Sequence, residues 1–151
     1  MRTLENRIPP PLVALSLAAG MWFAAPATND APRPALIAFA VILGLIGVGL
    51  AVAGSVSFRK AKTTVNPLRP GNASALVVTG VYRFTRNPMY LGMLLCLVAV
   101  GVYRSSFLAM AGPLIFLIYM NRFQIVPEEA VLEAKFGSSY LEYKSRVRRW
   151  L

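Results

Sequence analysis

Residues 35–58 read ALIAFAVILGLIGVGLAVAGSVSF, a run of 24 residues without a charged side chain. As an α-helix this run would reach ~36 Å at about 1.5 Å per residue, which exceeds the roughly 30 Å hydrocarbon core of a bilayer. The run therefore predicts a transmembrane helix that spans with some tilt. Its glycines and alanines form small faces, which indicate close contact with another helix.

Three further apolar runs cover residues 12–27, 88–103 and 107–126. The chain of 151 residues is 56% hydrophobic and 15% charged, with a mean hydropathy of +0.56. These values lie on the apolar side of ordinary globular usage. We therefore predict one all-α domain, residues 1–151, built as a polytopic membrane bundle of about four spans. The first and third spans, at ~24 Å each, need help from flanking residues or a thin bilayer.

The basic residues favour one side of these spans. If the four spans follow in order, fourteen of the sixteen Lys and Arg residues share a side, and only Arg33 and Arg104 lie opposite. This bias predicts a multi-pass membrane protein with both termini in the cytoplasm. The net charge of +10 could also suggest nucleic acid. Because the basic residues bracket apolar spans, we expect membrane lipids as neighbours and no nucleic-acid partner.

The N-terminus has some features of a cleavable signal peptide, namely Arg2, Arg7 and the small residues 25–27 after an apolar stretch. Glu5 and the prolines at 9–11 fit a signal poorly. We expect the segment to remain as the first span.

Residues 59–87 are predicted to form a cytoplasmic loop that is rich in turn formers, and long loops are often functional. The connection at 104–106 is so short that the last two spans must form a tight antiparallel hairpin. The start of the third span and the end of the fourth are therefore predicted neighbours. In residues 127–151 the apolar side chains are spaced mostly by three or four, which predicts an amphipathic helix with a possible break at Gly137. We expect this helix to lie on the headgroup surface and to fold back over the hairpin.

The segment TRNPMYLG, residues 85–92, precedes the third span. Asn87 suits a helix N-cap and Pro88 the first helical position, so part of the motif is explained by helix initiation alone. Arg86 and Tyr90 are not explained in this way. A guanidinium and a tyrosine hydroxyl at a helix N-terminus can bind a carboxylate or phosphate. We expect an anion site there.

Glu128 and Glu129 are two of only six acids in the chain, and the hairpin places them beside the predicted anion site. They could simply favour the dipole of a helix that begins at Pro127. Together with the anion site, however, they match the ammonium, carboxylate and sulfonium of S-adenosylmethionine. Methyl transfer from a sulfonium needs mainly alignment and electrostatics.

The chain has no histidine and one cysteine, Cys96 within the third span. Histidine bases, Cys/His nucleophiles and the usual zinc sites are therefore excluded. Glu128, Glu129 and Glu133 could together hold a metal, but we expect none.

Two blocks, LVVTGVYRFTRNPMYLG at 76–92 and EEAVLEAKFGSSYLEYKSRV at 128–147, resemble the membrane family of isoprenylcysteine carboxyl methyltransferases and related phospholipid methyltransferases. The resemblance covers about residues 66–150. It implies a helical membrane enzyme that takes S-adenosylmethionine from the cytosol and a lipophilic substrate from the bilayer.

The resemblance also implies roles for individual residues. Cofactor contacts are expected from Tyr82, Asn87, Pro88, Met89, Tyr90 and Glu128, with Ser74, Ala75, Leu76 and Val77 lining the approach and Pro67 nearby. Arg86 and Glu129 are assigned to catalysis, with Arg86 positioning the cofactor carboxylate. Arg122 and Gln124 are expected on the substrate side.

The sequence departs from the carboxyl methyltransferases at two places. Asn87 stands where they have histidine, and Asn-Pro-Met-Tyr looks like the phospholipid N-methyltransferase branch. Gln124 stands where an arginine would pair a substrate carboxylate, and Arg122 is offset by two positions. The acceptor can therefore be a carboxylate or the amine of a phospholipid or small molecule. Two other functions remain open: a sterol-type reductase with a nicotinamide cofactor, and a non-enzymatic helical scaffold or transport subunit.

Overall fold

The structure is a computed structural model that describes residues 7–24, 33–62, 71 and 74–151. Within these ranges the chain is all-α, as predicted. Six α-helices are present: α1 Pro10–Ala24, α2 Pro34–Lys60, α3 Pro88–Arg104, α4 Ala111–Tyr119, α5 Val126–Phe136 and α6 Ser138–Arg146. Short 3₁₀ turns cover Gly80–Arg83 and Leu108–Met110, and a π-helical segment, Met120–Ile125, joins α4 to α5 without a break. Residues 25–27 and Pro67 lie outside the described ranges.

Two helical stretches are long and apolar enough to cross a membrane, Pro34–Lys60 and Leu108–Phe136. α1 and α3 are apolar but shorter, so the prediction of four spans is supported only in part. In α2, only 11% of the most apolar window is buried within the described protein. A core helix of a soluble protein would be mostly covered, whereas a helix that faces lipid is apolar on its exposed side.

α2 packs along α3 more extensively than any other described pair of elements. The crossing is close at Gly47, where an added Cβ would lie 2.6 Å from the Gly92 carbonyl oxygen. Nearer the end of α2, a Cβ on Gly54 would meet Met89 Cγ at 2.7 Å. These contacts confirm the predicted small-residue face, although Gly49 points outward with nothing within 4 Å.

The hairpin between α3 and α4 turns at Ser105, which adopts a left-handed conformation with φ 48°. α1 packs against both helices of the hairpin. The core lies where these three helices meet, and its buried side chains are Met21, Tyr90, Leu97, Ala109, Phe116, Met120 and Ile125. The hairpin therefore brings the first turn of α3 next to the start of α5, as the short connection predicted.

The C-terminal region differs from the predicted helix over 127–151. Helix starts at Val126, breaks at Gly137 with φ 53°, and ends at Arg146. Val147 is extended, with φ −119° and ψ 131°. After the helix ends, the backbone carbonyls of Val147, Arg148 and Arg149 accept hydrogen bonds from the segment before α3.

Candidate active site

The segment before α3 binds the C-terminal residues. The backbone N–H of Arg86 donates to the Arg148 carbonyl at 3.0 Å. Thr85 Oγ1 and Asn87 Nδ2 both donate to the Arg149 carbonyl, at 3.2 Å and 2.9 Å. Asn87 occupies the N-cap position but makes no capping hydrogen bond through its side chain, because that side chain is turned to Arg149. Asn87 is thus the N-cap by position, as predicted, but not by side-chain capping, and Pro88 holds the first helical position.

Arg86 also points toward the C-terminal region. Its Nη1 donates to the carbonyls of Val147 at 2.6 Å and Lys144 at 3.1 Å, and its Nη2 pairs with Glu129 Oε1 at 2.7 Å. Its side chain is only 10% exposed. Tyr90 contacts a different carboxylate, that of Glu128. The Nη2 group of Arg86 and the hydroxyl of Tyr90 therefore bind two different carboxylates of the chain, those of Glu129 and Glu128.

Glu129 lies between two arginines. Besides Arg86, it accepts hydrogen bonds from Arg149, with Nη2 at 2.7 Å from Oε2 and Nε at 3.1 Å from Oε1. The residue is 7% exposed. Hydrogen bonds to Glu129 raise the pKa of Arg149 above its ordinary value. The negative charge of the buried Glu129 carboxylate is therefore compensated by two arginines. These ion pairs connect three parts of the chain.

Glu128 has different surroundings from its neighbour. Its Oε1 accepts hydrogen bonds from the Tyr90 hydroxyl at 2.7 Å and from Gln124 Nε2 at 2.9 Å. Both partners are buried, Tyr90 at 5% and Gln124 at 1% exposure, and both are neutral. Within the part of the chain that the structure describes, no cation pairs with Glu128, which itself retains partial exposure.

The two residues predicted on the substrate side, Arg122 and Gln124, both lie in the π segment but have different surroundings. Gln124 is buried and supports Glu128, whereas Arg122 is exposed and lies over the Phe123 ring at 5.5 Å. Asn121 in the same segment accepts hydrogen bonds from Trp150 Nε1 at 3.2 Å and from Arg149 Nη1 at 3.4 Å. Short π segments are often found at functional sites.

A family model described as "Phospholipid methyltransferase" matches residues 35–139. The chain belongs to the phospholipid methyltransferase family. This family is related to the isoprenylcysteine carboxyl methyltransferases, so the resemblance seen in the sequence is confirmed. Its members are S-adenosylmethionine-dependent and integral to membranes, and membership therefore suggests methylation of a lipid substrate.

One relative of this chain is a protein of Haemophilus influenzae described only as uncharacterised. It is 54% identical over 44 residues, which are 29% of this chain and 70% of that protein. No solved structure matches the chain.

The 3₁₀ turn Gly80–Arg83 adds a second aromatic group to the candidate site of this member of the family. Tyr82 is buried, its ring meets Phe58 edge to face at 5.4 Å between centroids, and its carbonyl accepts the Tyr143 hydroxyl at 2.8 Å. Burial raises the pKa of the Tyr82 phenol well above its usual range, and nearby Tyr143 and Glu128 add to the rise. Burial likewise raises the pKa of Tyr143 and of Tyr140. These phenols are therefore donors at neutral pH and not bases.

The remaining predicted residues lie beside this turn. Val77 is buried, while Ala75 and Leu76 are partly buried. Ser74 is exposed and its hydroxyl donates to the Lys62 carbonyl at 3.3 Å. The Met89 sulfur accepts a hydrogen bond from the Ser55 hydroxyl at 3.4 Å.

Glu133, the third acid considered as a metal ligand, pairs with Lys144 at 3.2 Å. No cluster suited to a metal occurs among the described residues.

Sequence reasoning missed four residues of this network: Thr85, Asn121, Arg149 and Trp150. The amphipathic pattern of the C-terminal tail predicts a helix on the headgroup surface, so its arginines are expected to face lipid headgroups and not the site. The sequence contains one indication of their role, because the resemblance to the family extends to Trp150, beyond the last residue of the amphipathic pattern. Their importance comes from contacts between residues that lie at least 20 positions apart in sequence, which no local pattern indicates.

Proposed function

We propose that this protein transfers a methyl group from S-adenosylmethionine to a lipophilic substrate in the membrane, with the cofactor held beside Glu128. The single observation that carries the proposal is the Glu128 carboxylate, which is only partly exposed and whose partners among the described residues are all neutral. An ionised carboxylate in such surroundings is costly unless a cation compensates it. The cofactor offers an ammonium and a sulfonium.

Tyr90 and Gln124 orient Glu128 for this role. Both donate to Oε1, which leaves Oε2 without a described hydrogen-bond partner and free to accept from the cofactor ammonium. Glu129 already has two arginines and does not need a further cation. We therefore assign Glu128 to cofactor binding and Glu129 to supporting the site.

Arg86 keeps one donor for the cofactor carboxylate. Its Nε–H is buried and has no acceptor among the described residues, although the other side of the guanidinium is engaged. Buried donors of this kind are rare in proteins and call for an unseen partner. Tyr82, Asn87, Pro88 and Met89 surround the same end of α3, and residues 74–77 line the approach.

The bound cofactor supplies an electrophilic methyl group that carries its own leaving group. The chain contributes alignment, a site shielded from water and fixed dipoles, and no histidine is required. A carboxylate acceptor attacks directly, whereas an amine must first lose a proton. The name of the matching family and the neutral Gln124 favour an amine of a phospholipid as the acceptor.

In our proposed topology α1, α2, α3 and the segment from residue 107 to 126 span the membrane, as one domain with both termini in the cytoplasm. The bias of basic residues toward one side supports this arrangement. It puts Glu128 at the inner leaflet, where cytosolic cofactor and bilayer substrate both have access.

Calorimetry of S-adenosylmethionine binding in detergent tests the cofactor assignment. Glu128→Gln keeps the shape and removes the charge, so we expect at least about a tenfold loss of affinity, or roughly 1.4 kcal/mol. Tyr90→Phe should lower affinity less. Glu142→Gln is the matched control, because Glu142 is an exposed acid paired only with Arg146. Unchanged affinity in Glu128→Gln would remove this residue from the site.

Two further measurements separate the rival functions. Binding of NADPH in place of S-adenosylmethionine would indicate a reductase, and binding of neither would favour a scaffold. Membranes incubated with the methyl-labelled cofactor then identify the acceptor, since methyl esters release label in alkali and methylated amines retain it.

A further inference from the structure

A groove lies on the side of α2 near its last two turns. Its volume is about 470 Å³, within the range of roughly 300–1,000 Å³ that is usual for small-molecule sites. One wall is α2, from Ala53 to Ala61, and the other is the 3₁₀ turn at Thr79, Gly80 and Val81. We call it the α2 groove. None of the residues assigned to cofactor binding lines it.

The α2 groove is apolar at one end and basic at the other. Ala53 and Val56 lie toward the centre of α2, and Lys60 lies about 10 Å beyond Ala53 and about 6 Å beyond Val56 along the helix axis. Val56 is 38% exposed and follows the exposed Val52 on the outer face of α2. The groove therefore opens toward the side of α2 that faces lipid in the proposed topology.

Lys60 supplies the polar end. It is exposed, and it forms no ion pair or side-chain hydrogen bond with any described residue. Both walls come from a segment without acids, since none occurs between Asp30 and Glu128. The Ser57 hydroxyl donates to the Ala53 carbonyl at 2.9 Å and is thus already engaged. The groove therefore offers a cation, and none of its lining residues is acidic.

Gly80 fixes the shape of the groove. It has φ +63°, and an added Cβ would lie 3.0 Å from Ser57 Oγ. The positive φ and the tight contact with Ser57 both favour glycine at this position, where the turn approaches α2.

We propose that the α2 groove binds one anionic phospholipid, with its phosphate at the Lys60 ammonium and the upper part of an acyl chain along Ala53 and Val56. The position at the end of a spanning helix matches the depth at which a phosphate joins its acyl chains. This lipid is separate from the methyl acceptor. The inference rests on the proposed membrane insertion but not on the proposed chemistry.

Native mass spectrometry of the delipidated protein in detergent, titrated with phosphatidylglycerol, tests this site. We compare Lys60→Gln with Arg59→Gln. Both residues are exposed cations next to each other on α2, but only Lys60 lines the groove. Non-specific attraction weakens equally in the two variants, so their difference is the readout. We expect Lys60→Gln to bind the first lipid at least about five times more weakly than Arg59→Gln, a factor of the size that one well-placed charge provides.

Val56→Phe provides a second variant that fills the groove and leaves every charge in place. It should weaken phosphatidylglycerol binding and leave S-adenosylmethionine affinity unchanged, because Val56 lies outside the cofactor site. Retained helicity by circular dichroism checks that each variant is folded.

Four results would overturn the proposal. These are equal losses in Lys60→Gln and Arg59→Gln, equal binding of phosphatidylcholine and phosphatidylglycerol, competition by soluble glycerol phosphate at the lipid's own concentration, and displacement of the lipid by S-adenosylmethionine. The last would mean that the groove belongs to the cofactor site. Loss of cofactor binding in Glu128→Gln, with lipid binding intact, tests the proposed function alone.

Discussion

At the scale of residues, two adjacent glutamates have opposite electrostatic surroundings. Glu129 meets Arg86 and Arg149, whereas Glu128 meets a phenol and an amide. The difference follows from helix geometry, because successive residues are rotated by about 100° around the axis of α5. One glutamate therefore faces the C-terminal segment, and the other faces the first turn of α3.

Arg149 should matter for stability although it lies near the chain end. Arg149→Ala leaves Glu129 buried with a single cation, and we expect the free energy of unfolding to fall by about 1–3 kcal/mol. The estimate is below that for a fully buried pair because the Arg149 side chain is 34% exposed. Thermal unfolding in detergent measures the change. Arg148→Ala is the control, since Arg148 is exposed, and an equal effect of both would contradict the ion-pair explanation.

Tyr143 should make the stability of the folded protein depend on pH in the alkaline range. Burial raises the pKa of its phenol in the folded chain, while the unfolded chain releases the proton near the ordinary tyrosine pKa of about 10. The unfolded state therefore binds fewer protons above that pH, and stability should fall as pH rises through about 10. Tyr143→Phe removes the hydrogen bond to the Tyr82 carbonyl. It should lower the free energy of unfolding by about 1 kcal/mol at pH 7 and reduce the alkaline slope.

Melting temperatures of wild type and Tyr143→Phe, measured between pH 7 and 10.5, check both statements. Identical slopes in the two proteins would show that another group causes the alkaline loss.

At the scale of elements, the π segment and the crossing of α2 and α3 decide how the site is assembled. The π segment lets Asn121 contact Trp150 while Gln124 contacts Glu128. The crossing at Gly47 and Gly92 brings the last turns of α2 against the start of α3. Close backbone approach of this kind requires small residues at the contact.

Gly47→Ala should disturb this crossing. The new methyl group would lie 2.6 Å from the Gly92 oxygen and 2.8 Å from Cys96 Sγ, so the helices must separate. We expect a loss of about 1–3 kcal/mol in the free energy of unfolding, typical of overpacking. Gly49→Ala is a matched control on the same helix with nothing within 4 Å, and it should be neutral or slightly stabilising. Thermal unfolding compares the two variants, and an equal loss in both would contradict the crossing.

At the scale of the whole molecule, three distant segments form one network. They are residues 85–90, residues 121–129 and residues 147–150, joined by hydrogen bonds and by the two ion pairs of Glu129. The helical hairpin aligns the first two segments, and the extended C-terminal segment ties them together. We expect the network to keep the proposed cofactor site closed on its cytoplasmic side.

The proposed topology predicts which ends of the helices reach each side of the membrane. In a Cys96→Ala background, Ser105→Cys and Ser145→Cys each introduce one thiol at a position whose side chain is exposed. Because α3 spans the membrane between its two ends, a membrane-impermeant maleimide should label position 105 from outside and position 145 only from the cytoplasmic side. Right-side-out and inverted vesicles provide the comparison. Labelling of both positions from the same side would contradict the topology.

The sequence by itself determined the helical class, the apolar runs and the tight hairpin. It did so because long uncharged stretches and short connections leave few alternatives. It also determined that Tyr90 and Glu128 would be neighbours, since the hairpin fixes which helix ends meet. The roles of these residues remain proposals.

Only the tertiary structure decided which charged groups pair. Arg86, expected to face an anion with Tyr90, instead binds Glu129 and the carbonyls of the C-terminal segment. Arg149 and Asn121 belong to the hydrogen-bond network, although no local sequence pattern predicts this. The physical reason is that hydropathy and periodicity are local and specify faces, whereas ion pairs and hydrogen bonds depend on distances of about 3 Å between segments far apart in sequence.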